Sequence, residues 1–209
     1  MSKQISLPTL KRLPNYYYIL CQAVESGEKY ISSATMSKLL DIDDTQVRKD
    51  IAATGYVGKP KVGFDINDFK SHLECFLGLN ESKEAFLIGA GNLGMAFARY
   101  EGFKKYGLKI TALFDVDIHK IGSRVANKEI FHISKLPDLV NRMNVDIAIL
   151  TVPAIQAQTI ADVLVECGIK AIWNFAPAAI SVPEGIIVSN QDLASSFVTL
   201  SLMIARQQN

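Results

Sequence analysis

The chain has 209 residues, 49% of them hydrophobic, and a formal charge of +1 at pH 7. That length can bury the cores of two small domains, and the near-neutral charge excludes a polybasic nucleic-acid tail or an acidic one. No apolar run reaches the roughly 18 residues of a membrane helix, and the start, MSKQISLPTLKRLP, lacks a signal-type hydrophobic stretch, so a cytoplasmic protein without a membrane span is expected. Cys21, Cys75 and Cys167 are scattered without a C-x-x-C pair, and His72, His119 and His132 lack ligand spacing. Reduced thiols and no metal site are expected.

Residues Asn15 to Val24 place Tyr16, Tyr17, Ile19, Leu20, Ala23 and Val24 on a broad apolar helical face, which Ser26-Gly27 stops. A second helix opens at Ser32 or Ser33, runs through Ala34, Met36, Leu39 and Leu40, and halts at Asp41. Asp43 and Asp44 can cap a third. There Val47 and Ile51 share the core stripe, while Thr45, Lys49 and Ala52 lie opposite with Gln46 and Arg48 flanking. Such a face suits the recognition helix of a helix-turn-helix in a DNA major groove. The run YVGKPKVGFDI reads as a hairpin with a basic tip at Lys59 and Lys61, which completes a winged helix over residues 1–78. Arg48, Lys49, Lys59 and Lys61 against Asp43, Asp44 and Asp50 leave a net of only about +1, a thin footprint for DNA that Lys3, Lys11 and Arg12 would reinforce. A dimerisation or protein-docking module is the other reading of these residues.

After a linker at 79–83, the stretch EAFLIGAGNLG carries an apolar strand, Ala85 to Ile88, straight into a G-x-G-x-x-G turn. Gly89, Ala90, Gly91, Asn92, Leu93 and Gly94 form the expected pyrophosphate cradle at a helix start, and that helix is predicted over 92–106. A second strand, Ile110 to Phe114, ends at Asp115, placed to accept the hydroxyls of an adenine ribose and to repel a 2′-phosphate. That favours NAD(H) over NADP(H). Residues 117–122 turn away, a crossover helix follows at 133–144, and 146–152 is a further strand. Thr151, Val152 and Pro153 at its end, with Asn174 and Phe175 after the strand 171–173, complete the predicted cofactor set. A last strand is predicted at 185–188. Strands alternating with helices over 84–190 indicate a Rossmann-type parallel sheet.

The tail, 191–209, is apolar nearly all round through Leu193, Phe197, Leu200, Leu202, Met203 and Ile204, so it packs on its own sheet or on a second subunit. A small NAD-dependent oxidoreductase with an accessory N-terminal module is the rival class. The sheet ends offer no His, Lys or Tyr of catalytic placement, which favours a sensor that binds cofactor without turning it over.

The chain resembles, over essentially its whole length, the Rex family of redox-sensing bacterial transcriptional repressors. The stretches that carry the resemblance are LKRLPNYYYIL, QVRKDIAATGYVG, VGF, FLGLN, GAGNLG, FDVD, LTVPAIQAQ, GIKAIWNFAP and NQDLASS. The resemblance implies a homodimer that exchanges its C-terminal helices and binds a palindromic operator with NAD⁺ or no cofactor. NADH would close the Rossmann domains together and release the DNA. It also implies DNA contacts by Arg12, Arg48 and Lys49, and coupling between pocket and dimer by Tyr100 and Asp192. The family's wing usually reads Gly-Lys-Arg-Gly-Val-Gly-Tyr, whereas Pro60 and Lys61 stand here for the Arg-Gly and Phe64 for the Tyr. Tyr18 replaces an arginine found in many members.

Overall fold

The computed structural model describes residues 5–207, in two units that divide between Glu81 and Ser82. Lys3 of the N-terminal arm lies outside the described residues. In the first unit, α1 (Leu7–Glu25) begins well before the predicted Asn15, because the Ser6 hydroxyl accepts from the Thr9 N–H at 3.3 Å and caps it. Pro14 lies inside this helix. Its missing N–H opposes helix formation, but burial of Leu13, Tyr16 and Leu20 along one face outweighs that loss. Helix α2 (Ser33–Leu40) is capped by Ser32 and closed by left-handed Asp41, and α3 (Asp44–Ala53) is capped by Asp43. Val47 and Ile51 face the core, as the helical stripe predicts.

The wing departs from a regular hairpin. Its two sides meet in a single bridge between Lys59 and Gly63. The Val62 N–H donates to the Lys59 carbonyl at 3.1 Å, with Pro60 at the second position and Lys61 at φ 62° at the third, which is a type II turn. Beyond it, β1 (Tyr30–Ile31) pairs antiparallel with β2 (Phe64–Asp65). A fourth helix, α4 (Ile66–Phe76), was not predicted. Asp65 caps it, and Ile66, Phe69 and Leu73 lock it into the core with Leu13, Tyr16, Met36 and Ile51.

The second unit is a seven-stranded sheet in the order β5-β6-β4-β3-β7-β8-β9. These strands are β3 (Lys83–Ile88), β4 (Leu108–Asp115), β5 (Arg124–Val125), β6 (Lys128–His132), β7 (Ile147–Leu150), β8 (Ala171–Asn174) and β9 (Ile187–Asn190). All pairings are parallel except the edge ribbon β5-β6. Alternate residues of β3 serve different faces: Phe86 and Ile88 pack with α6 (Leu136–Met143) and α7 (Ala154–Glu166), and Ala85 and Leu87 pack beside Ala98 of α5 (Asn92–Arg99). A Rossmann-type sheet covered by helices therefore follows an N-terminal winged helix in the chain.

The second unit also differs from the sequence expectation in several elements. The helix predicted over 92–106 stops at Tyr100, whose extended ψ of 103° breaks it, and a 3-10 turn, Glu101–Tyr106, continues the chain. The ring of Tyr100 folds over the next turn so closely that a Cβ at Gly102 would lie 2.4 Å from it. Strand β6, fourth of the sheet in chain order, falls in a stretch left between a turn and a helix. It is joined to β5 by Ala126 and Asn127, at φ 47° and 64°, as in a type I′ hairpin. The last strand sits two residues later than expected. Among the described residues no helix is long and apolar enough to cross a membrane. The terminal helix, α8 (Ser195–Gln207), leaves Phe197, Val198, Leu200, Leu202, Met203 and Ile204 between 50% and 69% exposed.

Candidate functional site

Strand order reverses at β3, with β4 on one side and β7 on the other, and the carboxyl ends of these strands open a crevice of about 260 Å3. Gly89 leaves β3 at φ 99°, and a Cβ there would come within 2.8 Å of the Thr151 carbonyl oxygen. At Gly94 a Cβ would stand 2.0 Å from the Gly89 oxygen, so α5 sits this close to its strand only with glycine. A Cβ at Gly91 would meet nothing within 4 Å. That open space adjoins the first N–H groups of α5, where Asn92 and Leu93 begin the helix and where a phosphate finds donors and a favourable dipole. The Thr151 hydroxyl lies 3.0 Å and 2.9 Å from the Ile88 and Gly89 carbonyl oxygens, pinning the end of β7 to the glycine turn. Val152 and Pro153 line the same crevice.

Asp115 closes the crevice at the end of β4. Its Oδ2 accepts from the Ala90 N–H at 2.8 Å and from Lys120 Nζ at 3.3 Å, and its Oδ1 from the N–H groups of Val116 and Asp117 at 2.8 and 2.9 Å. Burial pushes the carboxyl up, but the Asp117 and Ala90 N–H groups and the Lys120 ammonium together hold it below the usual carboxylate range. Lys120, absent from the predicted set, was marked only by lying five residues past Asp115. The four donors already occupy the carboxylate, and Lys120 is the most readily displaced, being the longest contact and the most flexible.

Two expected cofactor residues stand differently. Asn174 is 1% exposed, with Nδ2 donating to the Ala178 carbonyl and to Asn190 Oδ1, both at 2.8 Å, and Oδ1 accepting from the Ala176 N–H at 3.0 Å. These bonds shape the segment after β8. Phe175 packs edge-on against Phe97 with ring centroids 4.7 Å apart, and it lines a recess of about 550 Å3 with Pro177, Asp192 and Leu193. Tyr100 packs on Phe103 in the same aromatic cluster, and Asp192 accepts from the Ala194 N–H at 2.9 Å. No hydrogen bond joins Tyr100 to Asp192 among the described residues.

In the first unit, Ser32, Ser33, Arg48, Lys59 and Lys61 surround a groove of about 500 Å3, so the predicted cations of α3 and of the wing share one surface. Arg48 Nε donates to the Ser33 hydroxyl at 3.0 Å, and its Nη2 pairs with Asp44 at 2.5 Å. Lys59 Nζ sits 5.5 Å above the Tyr30 ring, and Lys49 is exposed. Arg12 and Gln46, also expected at DNA, both donate to Asp50. The buried Asp50 Oδ1 accepts from Thr9 at 3.1 Å and from Arg12 Nη2 and Gln46 Nε2 at 2.8 Å, and its Oδ2 from Arg12 Nε at 2.6 Å and the Tyr16 hydroxyl at 2.8 Å. Burial pushes Asp50 up, yet these hydrogen bonds hold it below its ordinary range, while burial and Asp50 push the Tyr16 phenol up. Sequence reading gave Asp50 only a unit of surface charge.

Two family models match the chain: one described as "Putative DNA-binding protein N-terminus" over residues 4–52 and one as "CoA binding domain" over 80–178. A protein of Treponema denticola named redox-sensing transcriptional repressor Rex is 43% identical, and the match covers 94% of each chain. A crystal structure titled as RSP in complex with beta-NAD+ and operator DNA superposes with a TM-score of 0.90 at 33% identity, covering 99% of this chain and 95% of that one. A second, of RSP with beta-NADH, gives 0.89 at 33% identity over 98% and 96%.

Proposed function

This chain belongs to the Rex family of redox-sensing transcriptional repressors, and on that premise we propose that it couples the NADH/NAD⁺ ratio to operator binding. It acts as a cytoplasmic homodimer on palindromic double-stranded DNA, occupied with NAD⁺ or no cofactor and released by NADH. The observation that carries this reading is the pairing, in one chain, of a dinucleotide crevice and a basic groove in the helix-turn-helix unit.

The residues of the crevice fit NAD(H). The open side of Gly91 and the start of α5 would hold the pyrophosphate, and Asp115 would hold the adenine ribose, its hydroxyls replacing Lys120. Thr151, Val152 and Pro153 would lie toward the nicotinamide end, with Phe175 beyond them. The nicotinamide supplies the redox state that is read, and the chain's residues bind and orient it. The CoA description of the matched model points to another adenine nucleotide, but an acidic Asp115 opposes a phosphate on the ribose as it would that of NADP(H).

In the first unit, Arg48 and Lys49 would meet the major groove, with Lys59 and Lys61 along the phosphates. Pro60 gives no N–H to a phosphate, so the tip acts through its lysines. The apolar face of α8 would be covered by the partner subunit, close to Asp192 and Tyr100. NADH shifts the dimer only as far as it prefers the DNA-incompetent arrangement.

Gel-shift titrations of a palindromic site test this reading. NADH is expected to release the DNA at concentrations where NAD⁺ leaves it bound, and equal retention in both would refute the sensor. Steep loss of binding with salt is expected from the lysine contacts, and its absence would favour a docking module.

A further inference from the structure

Gln46 lies in the first turn of α3, four residues before Asp50, where a recognition helix meets base edges. Its Nε2 donates to Asp50 Oδ1 at 2.8 Å. A carboxylate has no proton to give, so only the nitrogen end of this amide can face it. Flipping the amide would set Gln46 Oε1 against a carboxylate oxygen at contact distance. Asp50 cannot turn aside, because Arg12 holds both its oxygens from α1 while Thr9 and Tyr16 each hold one. Oε1 of Gln46 takes no hydrogen bond among the described residues, and Nε2 keeps a second proton. The amide therefore shows an acceptor and a donor in fixed order.

We propose that Asp50 is a positioning residue for sequence recognition: by holding the Gln46 amide nitrogen it turns the carbonyl oxygen toward DNA, selecting a base whose exocyclic amine lies in the major groove. Adenine offers N6–H beside N7, matching both groups of the amide, and cytosine offers N4–H. Guanine O6 and thymine O4 would face the Gln46 oxygen with a second acceptor. This inference rests on the DNA-binding reading above, and it assigns Asp50 a part in specificity rather than in affinity alone.

The test uses the full-length protein without NADH, at one salt concentration, on a palindromic duplex enriched from a random library by the wild type. Anisotropy titrations then follow a panel in which each base pair is replaced in turn. At one position per half-site, replacing adenine or cytosine by guanine or thymine is expected to weaken wild-type binding about tenfold. Gln46→Met should bind all bases at that position alike and keep the other preferences. Asp50→Asn, which can meet either end of the amide, should reduce the preference to about twofold or less at the same position.

A folded Asp50→Asn protein with the full wild-type profile overturns the proposal, as does Gln46→Met with the preference intact. If Asp50→Asn does not fold by circular dichroism, Gln46→Met decides: loss of the preference at that position alone supports the proposal, and retention overturns it. A wild type that enriches no duplex overturns the DNA-binding reading itself and this inference with it.

Discussion

Each unit places one carboxylate at its candidate site, and the two are held in opposite ways. Asp115 stands at the rim of the crevice on backbone N–H groups from its own turn and the glycine loop, with Lys120 as the only side-chain donor among the described residues. Asp50 lies behind its surface, 1% exposed, and every donor on it is a side chain. A rim carboxylate with one displaceable donor can exchange that donor for a ligand. A buried one with five hydrogen bonds cannot, and serves to fix the geometry of what lies in front of it.

The largest effect should come from breaking the buried member. Asp50→Ala leaves the Arg12 guanidinium and Tyr16 hydroxyl without their acceptor and is expected to cost about 3 kcal/mol of stability. That is the low end for a broken buried pair, because a quarter of the Arg12 side chain remains exposed. Chemical denaturation measures it, and a change under about 1 kcal/mol would place the network at the surface in energetic terms. Because the folded Asp50 titrates below the unfolded carboxyl, the stability it confers is complete above the ordinary Asp range. That stability is lost as pH falls through the folded value, so the loss on Asp50→Ala should shrink toward acid pH.

At the rim, Asp115→Ala should cost less stability than Asp50→Ala, about 1–2 kcal/mol for the donors it leaves unpaired, and weaken NADH binding by on the order of 2 kcal/mol, read by fluorescence titration. Unchanged affinity would remove the ribose assignment. Arg48→Ala, on the groove face, should weaken operator binding by roughly 1–2 kcal/mol with NADH affinity intact, by anisotropy and calorimetry. DNA binding at the wild-type level would contradict the groove assignment. The smallest effect concerns the wing. Lys61 holds φ at 62°, where glycine is unstrained, so Lys61→Gly should change stability by less than about 1 kcal/mol while flattening the salt dependence of DNA binding by about one charge. A stability loss above that range would show that the Lys61 side chain packs.

The same contrast explains what could be read in the sequence. Asp115, Gly89, Gly91, Gly94 and the Asp43 cap lie within short spans whose spacing sets the geometry, and the structure brings the four crevice residues together. The face of α3 followed from helical periodicity, with Val47 and Ile51 inward. Asp50 was unreadable as a structural centre because Thr9, Arg12 and Tyr16 approach it from 41, 38 and 34 residues away. That convergence also explains why Arg12 and Gln46, legible as polar residues, each carry a bond to Asp50 that their own positions did not announce.

Other misses were of signals present but outweighed. Asp65 followed by Ile66, Phe69 and Leu73 marks α4 by cap and spacing, and Ser6 with Pro8 marks the start of α1. Pro14, just before the expected start at Asn15, is a local helix breaker that tertiary burial overrides. Strand β6 was too short, and too mixed in KEIFH, to stand out from the loop around it. Asn174 lay at the correct end of its strand, but nothing local indicated that its amide would close on Ala178 and Asn190.

The central claim is that cofactor and operator oppose each other through one dimer, and linkage makes the coupling reciprocal. Calorimetric titration of NADH into the protein, alone and saturated with operator duplex, measures it directly. The predicted result is weaker NADH binding in the presence of DNA, by the same factor by which NADH weakens DNA binding. Identical NADH affinity with and without operator would contradict the account.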